Sequence, residues 1–223
     1  MTLEIISNSV TMMVRNFSDY LKASIPFVTF AVIEYILFGV PYQEDSNYII
    51  SLMHIYLATD FIIKIHRFTI IQDKDFFSFK IVSHLKYIFA VFIISLFLFL
   101  IPITISLNIA STGAGIFFIV ILPFIFIIYF LPYVLFFPMI AIEKRQNWID
   151  FKNHISGFRL TLILQTLLVI LIYLIASLPH LLFITAPPKL HLIFGSVMYF
   201  FISIFSIILL SETYKTWNNQ QNT

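Results

Sequence analysis

A chain of 223 residues that is 60% hydrophobic and 11% charged, with a mean hydropathy of +0.98, has too few polar side chains to coat a water-soluble fold. Its formal charge of +2 comes from basic residues set beside apolar runs, so nucleic acid is not an expected partner. The chain has no cysteine, which excludes disulfides, thiolate nucleophiles and cysteine-ligated metals.

In chain order, Glu4, Arg15, Asp19 and Lys22 precede the first long apolar run, and no small-residue cleavage site follows it. The opening segment is therefore expected to belong to the mature protein. A helix needs roughly 20 apolar residues to cross a bilayer. Runs of that kind occur at about 24–42, 48–66, 87–109, 115–141, 160–184 and 190–211. The expected fold is an all-α integral membrane protein, a single membrane domain over 1–223 built as a bundle of six transmembrane helices. The 115–141 run carries Pro123, Pro132 and Pro138, which predicts a kinked or tilted helix. The first two runs contain Glu34, His54 and Asp60.

The basic residues alternate by loop. With six spans, twelve of the thirteen fall on one side and only Lys189 on the other. Short basic loops stay in the cytoplasm, so both termini are expected inside. The segments on that side also mix apolar and polar residues. Leu3, Ile6, Val10, Met13, Val14, Phe17 and Leu21 recur at helical spacing, and Phe76–Leu85 and 148–158 show comparable mixtures. Short interfacial amphipathic helices are expected there, each leading into an outward span, so that the chain reads as three helical-hairpin repeats. Tyr214 and Trp217 read as an aromatic belt closing the last span.

Two segments carry a resemblance. Lys64-Ile65-His66-Arg67-Phe68-Thr69-Ile70-Ile71 resembles an H-R-x-x-L-L motif that follows an inward-going span. Phe137-Pro138-Met139-Ile140-Ala141-Ile142-Glu143, followed by Trp148-Ile149-Asp150-Phe151-Lys152, resembles a P-x-x-x-x-E…A-L-x-x-S-W segment. Together they are similar to uncharacterised six-helix bacterial inner-membrane proteins, to the membrane domain attached to some glycerophosphodiester phosphodiesterases and to the YciC-like family. The chain departs from that pattern at His154-Ile155, where the family has Ser-Trp. The resemblance implies a bacterial inner membrane. It implies no phosphodiesterase chemistry, which belongs to a separate soluble domain.

Ionisable residues inside spans are the candidate polar site, because each is costly at the bilayer centre. Glu34 and His54 fall at similar depth on successive spans, where a pair could carry a proton or hold a cation; the plainer reading has Glu34 snorkelling or bonding within the bundle. Asp60 has Lys64 as an i,i+4 partner, and the plainer reading is that the two neutralise each other. Candidate lipid-headgroup contacts are Arg67, Lys80, Lys86, Lys144, Arg145, Lys152 and Arg159. His66, His84 and His154 match no ligand spacing, and no metal or cofactor is expected. No nucleotide-binding, metalloprotease or lipase motif is present. These features suggest a non-enzymatic protein organising membrane lipids or membrane-protein partners at the cytoplasmic interface. The alternative is a small transporter or ion-coupled permease using Glu34, His54 and Asp60.

Overall fold

A computed structural model describes residues 1–38, 48–78, 81–105, 121, 125–144, 155–182 and 188–220. Its helices are α1 (Thr2–Arg15), α2 (Phe17–Phe38), α3 (Tyr48–Ile71) and α4 (Ile81–Ser95). They are followed by α5 (Ile125–Ala141), α6 (Arg159–Leu182) and α7 (Pro188–Gln220). No strand occurs among the described residues. Among the described residues three helices, within α3, α6 and α7, are long and apolar enough to cross a membrane, and α4 and α5 are shorter apolar helices. α2 has 22 residues, a rise of about 33 Å, with Pro26 and Glu34 inside it.

α2 and α3 form an antiparallel pair joined by three rungs. The Tyr20 and Thr69 hydroxyls meet at 3.0 Å, the Phe27 and Phe61 rings stack at 5.8 Å, and Glu34 meets His54. α3 also packs on α4, α5 and α7, so it sits at the centre of the bundle. One core cluster brings Tyr20, Phe61, Ile65 and Phe68 against Ile204 and Ile208 of α7. A second joins Leu131, Leu135 and Met139 of α5 to Phe158 and Leu162 and to Tyr214 and Trp217 of α7. Large apolar side chains elsewhere point outward, among them Ile36, Leu52, Phe92 and Leu174. Lipid tails are as apolar as these side chains, so in a bilayer such exposure carries no hydrophobic penalty.

Where the 115–141 run is described, α5 tightens into a 3₁₀ turn over Leu131–Leu135, with Pro132 early in it. Proline lacks the amide hydrogen that an α-helical bond needs, and the tighter turn accommodates it. Pro123 lies outside the described residues. A turn of π-helix over Leu96–Leu100 continues α4 into helix 101–105.

Two expectations need correction. Residues 81–85 are not a separate interfacial helix but the first turns of α4, with Ser83 and His84 buried and Ile81, Val82 and Leu85 exposed. Most of the third expected interfacial segment, 148–158, lies outside the described residues, which end at 144 and resume at 155. Tyr214 and Trp217 are buried against α5 and α6 instead of forming a lipid-facing belt.

α3 ends through a non-glycine residue in the left-handed region: Gln72 has φ 56°, and its backbone N–H and side-chain Nε2 both donate to Phe68 O, at 3.0 and 3.1 Å. The left-handed conformation costs an L-residue roughly 1–2 kcal/mol, which glycine avoids. Gln72→Gly is therefore expected to stabilise the protein, by up to about 1 kcal/mol after loss of the Nε2 bond. A higher thermal midpoint in detergent is the expected result, and an unchanged or lower one contradicts this reading of the helix end.

Candidate functional site

The end of α3 that carries Asp60, Lys64, His66 and Arg67 is the most polar part of the described bundle. Asp60 Oδ2 accepts from Lys64 Nζ one turn later, the pairing that the i,i+4 spacing predicts. Asp60 Oδ1 accepts from Nε2 of His84, the buried histidine of α4, at 2.8 Å. Asp60, Lys64 and His84 are 1%, 4% and 2% exposed. The Tyr56 ring stacks on His84 at 4.7 Å. This cluster locks the first turns of α4 onto α3.

A second, neutral group lies one turn further along. His66 Nδ1 meets Ser211 Oγ of α7 at 2.7 Å, and His66 Nε2 meets Tyr87 Oη of α4 at 3.2 Å. The single Ser211 hydroxyl proton goes to Ile207 O, so it is His66 Nδ1 that donates to Ser211. His66 Nε2 then accepts from Tyr87, and one neutral imidazole ties three helices together.

Arg67 carries the third group. Its Nε donates to Asp73 Oδ2 at 2.8 Å, and its Nη1 donates to Ala141 O at 3.3 Å and lies 3.7 Å from Glu143 Oε1. Glu143 also accepts from Ser83 Oγ at 2.6 Å. Glu143 has φ 58° and caps α5, with Lys144 N–H donating to Met139 O at 3.2 Å, so its side chain turns back toward α3 and α4. Residues 64–71 and 137–143 thus meet in space through Arg67, Ala141 and Glu143. Nearby, Asp19 is bridged to Lys22 and to Lys74 of the α3–α4 connection. The Lys22 hydrogen bond, helped by the charge of Lys74, holds its carboxyl below the ordinary carboxylate range. The bridge is intact above that range and loosens as pH falls through the lowered value.

The three residues expected to form one intramembrane site are divided. His54 Nδ1 and Glu34 Oε2 lie 3.3 Å apart, the pair that their similar depth predicts. The Phe27 and Phe30 rings flank His54 at 5.2 and 6.2 Å. Asp60 belongs instead to the Lys64–His84 cluster, because α4 supplies a partner that the pattern of α2 and α3 does not reveal. Ser83, His84, His66, Tyr87, Ser211 and Glu143 were absent from the expected polar site. The available signal was a serine and a histidine set beside isoleucine, valine and leucine over 81–85.

The candidate headgroup contacts are also divided. Arg67 is taken up inside the protein as described, Lys144 Nζ donates to Asn218 Oδ1, and the Arg159 guanidinium lies over the Tyr129 ring at 5.3 Å. Lys86 is exposed on α4. Lys80, Arg145 and Lys152 lie outside the described residues. Among the described residues no three His, Asp or Glu side chains converge as a metal ion requires. No protein-family model, curated relative or solved structure matches this chain.

Removing one partner of a buried ion pair leaves the other charge uncompensated, at a cost of about 3–5 kcal/mol. Asp60→Asn is expected to lose that much by thermal unfolding in detergent, and adding Lys64→Met is expected to restore most of it. Failure of the second substitution to recover stability contradicts the mutual neutralisation of Asp60 and Lys64.

Proposed function

We propose that this chain is a non-enzymatic, six-span protein of a bacterial inner membrane, with its basic end and both termini in the cytoplasm. There it organises lipid or partner proteins at the membrane surface. The observation that carries this reading is the three-sided character of α1. Ile5 and Ser9 are buried against the bundle, with Met12 and Met13 partly buried on the same side. Leu3, Val10 and Val14 form an exposed apolar stripe, 82%, 47% and 72% exposed. Glu4, Asn8, Thr11 and Arg15 make a separate exposed polar stripe at i, i+4, i+7 and i+11. A helix with protein on one side, an apolar stripe on the next and charge on the third fits the boundary between acyl chains and water.

α1 runs antiparallel to the end of α7. Gln220 Nε2 reaches Met1 Sδ at 3.7 Å, and the Phe17 and Phe201 rings stack at 5.7 Å. That contact fixes which stripe of α1 faces outward. The polar clusters of α3 support a scaffold rather than a reaction site, because their ionic groups are matched to one another and hold helices together.

The permease reading retains one favourable observation, the Glu34–His54 pair, and the same reagents test both. Because the wild type lacks cysteine, it is a blank for single-cysteine labelling. Cysteines at Asn8 and Thr11 are expected to react with an impermeant thiol reagent from the cytoplasmic side only, and those at Val10 and Val14 to stay protected. Reaction at all four positions, or from the opposite side, contradicts the interfacial placement. Reaction at Ser51 or Ala58, beside the Glu34–His54 pair, would mean a water-filled route and favour the permease.

A further inference from the structure

Between α4 and α5 lies a cavity of about 400 Å³, lined by Phe89, Ala90, Ile93 and Phe97 on one wall and by Tyr133 and Ile140, among others, on the other. That volume is in the range of sites that hold small ligands. The lining is almost wholly apolar, and the cavity is open at the side, where Phe89 and Phe97 are 66% and 37% exposed. One end is closed by the Phe97 and Phe130 rings, stacked at 5.1 Å. At the other end stands Lys86. Residues 86, 90, 93 and 97 are separated by 4, 3 and 4, so Lys86 continues the stripe of α4 that forms the wall. It is exposed. No ion pair or hydrogen bond engages it among the described residues.

We infer that this cavity seats one acyl chain of an anionic glycerophospholipid of the inner leaflet, with its headgroup phosphate against Lys86. The inference rests on the orientation proposed above, which places the basic end in the cytoplasm. From Lys86 to Phe97 the helix rises about 16 Å, close to half of a hydrocarbon core of about 30 Å. The cavity therefore has the length of one leaflet, its closed end falls near the midplane, and its cation falls at headgroup height. Burying an acyl chain here gains little over leaving it among other lipids, since the surroundings are equally apolar. Selectivity must come from shape and from the charge at the mouth. Glu143 lies toward that end of α5, but its carboxylate accepts from Ser83 and lies near Arg67. Lys144 Nζ is engaged by Asn218. Among the described residues, Lys86 is left as the cation available to a phosphate at this end.

The test uses tryptophan quenching by lipids with brominated acyl chains, with wild-type fluorescence subtracted. The protein is reconstituted in phosphatidylcholine vesicles that contain either brominated phosphatidylglycerol or brominated phosphatidylcholine at equal fraction. A Phe89→Trp variant places the probe at the cavity edge, Phe92→Trp places one on another exposed face of the same helix, and Val14→Trp places one on α1. At position 89 the brominated anionic lipid is expected to quench about fivefold more effectively, the preference that one lysine gives near the membrane surface. At position 92 the two lipids are expected to quench equally. Lys86→Gln should abolish the preference at 89, and Lys86→Arg should keep it. Equal quenching at 89 and 92 by both lipids overturns the inference, since the cavity then holds ordinary annular lipid. Quenching at 14 separates the two levels of argument. If 14 is quenched and 89 shows no preference, the cavity assignment alone fails. If 14 is not quenched by either lipid, the interfacial placement of α1 fails with it.

Discussion

The structure depends on neutralising the charges of α3. A helix that is otherwise apolar enough to cross a membrane carries Asp60, Lys64 and Arg67 within eight residues, with His66 among them. An unpaired charge at such a position costs several kcal/mol, in lipid or in a protein interior. Each group is met by a neighbour: Asp60 by Lys64 and His84, Arg67 by Asp73, Ala141 and Glu143, and His66 by Ser211 and Tyr87. These partners come from α4, from the end of α5 and from α7, so satisfying one helix orders three others around it.

The rest of the architecture follows from that polar centre. With α4 and α5 both drawn to α3 at the basic end, and in contact again where Phe97 stacks on Phe130, the cavity lies between their apolar faces. With α7 held by the His66–Ser211 bond and by Ile204 and Ile208, its far end packs Tyr214 and Trp217 into the second core cluster, and α1 lies along it. Polar residues here specify which helices are neighbours, while the apolar residues that fill the interfaces are interchangeable with lipid. This inverts the familiar arrangement of a soluble domain, in which burial of apolar surface drives association.

Much of this was legible in the sequence, and the parts that were not share one cause. Long apolar runs predict α3, α6 and α7, and proline predicts the distortion of α5, because these are local properties of the chain. The pairs Asp60–Lys64 and Glu34–His54 follow from i,i+4 spacing and from equal depth on consecutive helices. His84 and Ser83 did not follow. Their mixture with Ile81, Val82 and Leu85 reads as an amphipathic helix lying on the membrane, yet the polar side faces the protein and the apolar side faces outward. Periodicity gives two faces and does not say which is inside, and for a helix surrounded by lipid the usual assignment reverses. The burial of Tyr214 and Trp217 escaped prediction for a related reason: aromatic residues near the end of a span suit a lipid boundary and a protein interface equally well.

The most direct test of this account is the energetic coupling between Asp60 and His84, a buried contact between two helices adjacent in sequence. A double-mutant cycle with Asp60→Asn and His84→Gln, made in the Lys64→Met background so that no ammonium is left unpaired, isolates it by thermal unfolding in one detergent. The account predicts a coupling of about 1 kcal/mol or more, as found for residues in one buried polar network. Additive effects of the two substitutions would contradict it and would leave α4 positioned by its other contacts, among them Tyr87–His66 and Ser83–Glu143.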